Sequence, residues 1–149
     1  MVQGLAEFNR RWSKVPEDVR KAARLALEKG ATELVAEMNR NTPIPEIIVD
    51  WTWGKPPAGA MTLGSRRTSS GGDELAITIF AIAHTEDYPT GHGGVPGWFE
   101  FGTAQRAHKS GRRTGAITAS PFFWPIWRLR RRRVRSRMTR QVNQALKRL

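Results

Sequence analysis

The residue types able to do chemistry are few in this chain and badly placed for it. His84, Glu86, Asp87 and His92 fall within nine positions, and such residues bind metals. Their spacing matches none of the tetrahedral zinc patterns, so they read as solvated loop residues. Gly91-His92-Gly93-Gly94 is too short for a phosphate loop, and no Gly-Lys-Ser/Thr follows it. The serines lie in polar turns without a nucleophile elbow. His108 stands alone, and cysteine is absent, which removes disulfides and thiolate chemistry. No pair of carboxylates is singled out for acid–base work. The expectation is therefore no enzyme, no cofactor and no metal.

What remains is charge. Residues 101–149 carry fourteen Lys+Arg and no Asp or Glu. Residues 1–100 carry eleven Lys+Arg against thirteen acids, so the net +12 comes entirely from the last third. Such asymmetry marks a surface for an acidic partner, either nucleic acid or an acidic protein face. Rings for base stacking, Trp124 and Trp127, lie near the basic run, but no recognisable nucleic-acid reading motif accompanies them. Glu100, between Phe99 and Phe101 and just before Gly102, is a candidate partner for an arginine of its own or a neighbouring subunit.

The elements that must position these groups follow from periodicity. At 149 residues the chain reads as one domain able to bury a core. Leu5, Phe8 and Trp12 suit a short helix over 3–12. Pro16-Glu17-Asp18 opens a long helix over 16–40, with Val19, Ala22, Ala23, Ala26, Leu27, Leu34, Val35 and Met38 at helical spacing. Gly30 inside it invites close packing. Ile47, Val49, Trp51 and Trp53 alternate as a strand; 61–67 is a weaker strand, 68–73 a turn and 75–83 a third strand. Residues 88–96 read as loop, and 98–101 as a short ordered element. Residues 104–119 lack apolar periodicity and are expected to be mobile in the free protein and ordered in an assembly.

A last helix starts near Pro125, which tolerates only the first turn. At 100° per residue, Trp127, Arg131, Val134, Met138, Gln141, Val142, Ala145 and Leu149 share one stripe. Arg131 must then be paired or sit at a subunit contact. The part through Leu129 is expected to pack on the domain, and the part beyond Arg131 to reach a neighbour. The fold class is α+β: a long N-terminal helix packed on a small antiparallel sheet, with a basic C-terminal helix. Along the chain, 1–45 is helical, 46–103 sheet, 104–119 loop and 120–149 basic helix. Val19, Ala26, Leu34, Ile77, Ile79, Phe101, Phe122 and Phe123 are the expected core.

Two segments carry a resemblance. Phe99-Glu100-Phe101-Gly102-Thr103 precedes a variable loop, and Ala119-Ser120-Pro121-Phe122-Phe123-Trp124-Pro125 leads into the last helix. With the element order, this resembles the tail-component family of tailed bacteriophages found at the head–tail junction, often called neck or tail-completion proteins. Glu100 to Thr103 match its first segment; Pro121, Phe122, Phe123 and Pro125 match its second. The chain departs from the family at Ile44-Pro45-Glu46-Ile47-Ile48, where a Thr-Gly-x-Leu-Arg segment is common. It departs again at Pro96-Gly97-Trp98, which replaces a Tyr-Ala pair.

The resemblance implies a structural virion protein forming a homo-oligomeric ring, hexameric or dodecameric. It implies adjacent connector and tail-tube proteins as partners, with DNA in the channel as the lesser alternative, and assembly in the bacterial cytoplasm. No membrane is expected, because no apolar run approaches the roughly 20 residues of a span. The expected interface residues are Glu100, Gly102, Thr103, Arg112, Arg113, Arg131, Arg135, Met138 and Val142. Arg130, Arg132, Arg133 and Arg137 are the expected DNA contacts. Two further readings stay open: a DNA-binding protein using the basic last third, and a small hydrolase or nuclease using the 84–92 loop.

Overall fold

The computed structural model describes residues 15–62, 76–85, 88–92 and 94–148, with Glu7, Arg10 and Ser13. The expected helix over 3–12, most of the strand over 61–67 and the turn at 68–73 lie outside the described residues.

Helix α1 (Glu17–Arg40) begins after Pro16 and has Glu17 and Asp18 in its first turn, where carboxylates face the positive end of the helix dipole. It buries Val19, Ala23, Ala26, Gly30, Ala31, Leu34 and Met38, the stripe read from the sequence. Strand β1 (Ile47–Trp53) turns Ile47 and Val49 inward and Ile48 and Asp50 outward. It pairs antiparallel with β3 (Ile77–Thr85), Val49 opposite Ala81 and Trp51 opposite Ile79. The far side of β3 takes β2 (Met61–Thr62) and β4 (Tyr88–His92), both antiparallel. The fold is α+β, as expected: α1 covers a small antiparallel sheet.

The outer edge of β1 is closed by one side chain. Asn39 of α1 donates its amide to the Val49 carbonyl at 2.8 Å and accepts from the Val49 N–H at 2.8 Å. It stands where another strand would, which prevents this edge from pairing with other chains.

Three expectations need correction. Residues 88–96 are not loop: they form β4 and the start of α2 (Gly94–Phe101). Pro96 hid the helix in the sequence, yet in a first turn the missing N–H costs nothing. Within 104–119, β5 (Arg106–Ala107) and β6 (Arg113–Gly115) form an antiparallel hairpin. It is held by backbone bonds and by His108, whose Nδ1 accepts from Ser110 N–H at 3.3 Å, with no apolar packing, so no apolar pattern could announce it. Phe101 is not core but 68% exposed. On a helix it shares the wet side with Trp98, while Pro96 and Glu100 face inward.

Of the remaining expected core, Val19, Ala26, Leu34, Ile79, Phe122 and Phe123 are buried; Leu34, Ile79, Phe122 and Phe123 share one cluster, against which Ile77 is partly buried. Phe122 and Phe123 are fully inaccessible and immediately precede α3 (Trp124–Leu146).

Candidate functional site

The two motif segments meet in a clasp centred on Glu100. Its side chain is 3% exposed, the one charged residue in the buried set of described residues. Oε2 accepts from the N–H groups of Phe122 and Phe123 at 2.8 and 3.0 Å, and Oε1 accepts from Trp124 N–H at 2.8 Å. These amides open α3, where backbone donors have no partner inside the helix. Charge-assisted bonds to such donors are strong, and the helix dipole favours a carboxylate there. The last third of the chain contains no acid of its own. The negative charge at the start of α3 is therefore supplied by α2. Among the described residues Glu100 is not paired with an arginine, as the sequence had invited; it serves the backbone instead.

The next two motif residues complete the clasp. Gly102 has φ +75°, the left-handed region that favours glycine. A Cβ there would lie 3.1 Å from both Ala119 N and Ile117 O. Thr103 N–H donates to Ile117 O, and Thr103 Oγ1 accepts from Ile117 N–H, each at 2.9 Å. Ser120 N–H donates to Phe99 O at 2.7 Å. The loop that carries the hairpin is thus tied at its base. Beside it, Arg106 lies over the Trp98 ring, 5.2 Å from its centroid.

Helix α3 runs antiparallel across α1. Gly30 lets the two backbones approach: a Cβ there would lie 2.7 Å from Val134 Cγ1. Further along, Arg130 forks onto Glu37, Nε to Oε2 at 2.8 Å and Nη2 to Oε1 at 3.0 Å. At the other end Arg137 pairs with Glu33. The hydrogen bond from Arg130, with its charge, holds the Glu37 carboxyl below its usual pKa, and Glu37 raises that of Arg130.

Five residues of the expected α3 stripe, Trp127, Val134, Met138, Val142 and Ala145, are half-buried, while Arg131 and Gln141 are exposed and Arg130 and Arg137 join the inward side. The side toward α1 carries Trp127, Arg130, Val134, Arg137, Met138, Val142 and Ala145, all half-buried. Arg131 is exposed, as are Arg128, Arg132, Arg133 and Arg135. Arginine stems pack along apolar surface while their heads reach acids, so Arg130 and Arg137 fit a face that hydrophobicity alone would not give them. The helix beyond Arg131 does not leave the domain, because Val134 and Arg137 both contact α1. Of the four arginines expected at DNA, Arg130 and Arg137 are engaged in these pairs, and Arg132 and Arg133 are exposed, with the charge of Arg133 also felt at Glu37. Arg112 and Arg113 lie exposed on the hairpin.

Glu33, Glu37 and Asn39 were missed as positioning residues. An available signal was Glu33 and Glu37, four apart beside the packing glycine Gly30. Among the described residues no group of three or more His, Cys, Asp or Glu could hold a metal ion. His84 is exposed on β3, whereas Glu86, Asp87 and the side chain of His92 lie outside the described residues. No helix of the described residues is long and apolar enough to cross a membrane.

A family model described as "Bacteriophage HK97-gp10, putative tail-component" matches residues 6–80, just over half of the chain. The chain belongs to this phage tail-component family. The match covers α1 and the sheet through Phe80. The clasp segments lie beyond it, so the first half carries the membership. No curated protein and no solved structure matches the chain. Membership makes this a phage structural protein with a place in the virion.

Proposed function

We propose that the chain assembles with copies of itself into a ring at the head–tail junction, as a neck or tail-completion component, and acts by contact rather than catalysis. The observation that carries this reading is the two-sided use of α3. One side packs on α1. The other leaves Leu129 70% exposed among Arg128, Arg132 and Arg135, which form no ion pair with any described residue. Crowded like charges repel, so a lone domain gains nothing from such a face.

A ring needs two different patches per subunit, because its contacts run head to tail. The complement is the outward row at the start of β1: Glu46, Ile48 and Asp50, all exposed. Residues two apart on a strand share a face, so Asp50 stands beside Ile48, and Glu46 precedes the strand in the adjoining turn. An apolar centre within a charged rim is the usual anatomy of a protein interface. In this reading, Leu129 and its arginines on one subunit meet Ile48 and its acids on the next. Six or twelve copies close the ring, and connector and tail-tube proteins occupy the faces above and below. Assembly takes place in the host cytoplasm.

A charge exchange tests the contact. Asp50→Arg and Arg132→Asp should each abolish the oligomer in light scattering, and the double variant should restore it. A double variant no better than either single would show that these patches do not meet.

A further inference from the structure

Beyond the contact of Arg106 with the Trp98 ring, the hairpin β5–β6 adds nothing to the core. Every residue from 104 to 116 is exposed, and the hairpin buries nothing. It is nevertheless well formed. Arg106 stands opposite Gly115 and Ala107 opposite Arg113. His108 N–H donates to Arg112 O at 2.7 Å, and Gly111 N–H donates to His108 O at 2.8 Å, with Gly111 at φ +81°. The base is fixed by the Thr103–Ile117 bonds and by the seat of Gly102 against Ala119. An ordered ribbon that contributes no core is built to be presented.

Its side chains define what it can receive. Arg106, Lys109, Arg112 and Arg113 are its ionised groups, and none is offset by an acid from a described residue. Gln105, Ser110 and Thr114 add hydrogen-bonding groups, and the only apolar side chains from 104 to 116 are alanines. Protein interfaces depend on an apolar, often aromatic centre, which this ribbon lacks. Protein–DNA interfaces are polar and strongly positive, and most of their hydrogen bonds go to phosphate and sugar. A two-stranded ribbon is also of a size that the major groove admits.

We infer that the hairpin is an arm that binds the phosphate backbone of double-stranded DNA without sequence preference, through Lys109, Arg112 and Arg113. The source of that DNA rests on the head–tail placement proposed above, since a ring there surrounds the path of the genome. The binding surface itself differs from the α3 face assigned to the ring contact.

The test is fluorescence anisotropy of the full chain with a labelled duplex of random sequence, across a salt series. Neutralising Lys109→Gln, Arg112→Gln and Arg113→Gln together should flatten the slope of log affinity against log salt by about 3, about one unit per lost phosphate contact. The charge-preserving set Lys109→Arg, Arg112→Lys and Arg113→Lys should keep the slope, as should Arg128→Gln, Arg132→Gln and Arg135→Gln on α3. The hairpin variants should melt with the parent. An unchanged slope in the neutralised variant overturns the inference. So does competition by poly-glutamate as effective as by unlabelled DNA at equal charge, which would make the target an acidic protein. A fall of several degrees in melting temperature also overturns it, since the hairpin would then support the fold. Particle size measured on the same samples separates the two readings. Hairpin-dependent binding without rings keeps the arm and removes the ring; rings without hairpin-dependent binding do the reverse.

Discussion

Glu100 shows how one side chain can join two segments more than twenty residues apart. Its carboxylate meets three N–H groups in a site closed to water. Glu100→Gln keeps the shape but removes the charge and turns one acceptor into a donor facing donors. The expected cost is about 2–3 kcal/mol, read from denaturant midpoints; a loss under about 0.5 kcal/mol would show that the amides find other partners. The neighbouring aromatics separate the burial roles. Phe122→Ala should cost about 3–5 kcal/mol, because Phe122 is wholly enclosed. Phe101→Ala should stay within about 0.5 kcal/mol, because that ring lies in solvent. Equal melting shifts for the two would contradict the placement of α2. From sequence, Glu100 stood out only as a carboxylate in a basic neighbourhood, which suggested an arginine. Its actual partners are backbone amides, which every residue but proline carries and which no side-chain pattern advertises.

At the scale of elements, the packing of α3 on α1 turns on Gly30. Gly30→Ala improves helix propensity by about 1 kcal/mol but drives a methyl group into Val134. Net destabilisation is expected, and Val134→Ala in the same chain should recover most of it, which a double-mutant cycle would quantify. Additive losses would mean that the two residues do not touch. The Glu37–Arg130 pair adds a pH signature. Because Arg130 lowers the Glu37 pKa in the folded state, the pair stabilises above the ordinary carboxylate range. That contribution is lost as pH falls through the depressed folded value. The melting-temperature gap between the parent and Glu37→Gln should therefore be present at neutral pH and close in acid. A gap that persists or widens in acid would show that the carboxylate is not held by Arg130. Helix α1 and strand β1 were legible because one face of each is apolar at its own period. Which arginines of α3 turn inward was not, because Arg130 and Arg137 are placed by acids about a hundred residues away.

For the whole molecule, membership in a phage tail-component family and the separation of charge point the same way. The first hundred residues supply the acids and most of the core, which Phe122 and Phe123 complete. The last third supplies a cationic helix face and a cationic arm, both outside the core. The long first helix, the β1 and β3 strands and the last helix were readable from the sequence, as was the lopsided charge, whereas β4, α2 and the β5–β6 hairpin were not. The division of that charge into fold-bound and free arginines was not, since it depends on which carboxylates the packing brings near.

The most direct measurement is the mass of the purified full chain by analytical ultracentrifugation, at low and at high salt. A ring held by arginine–carboxylate contacts at its rim predicts one defined oligomer, six or twelve times 16.8 kDa, that dissociates as salt rises. A monomer at every salt concentration, at protein levels where a ring would form, would contradict the assembly role at the centre of this account.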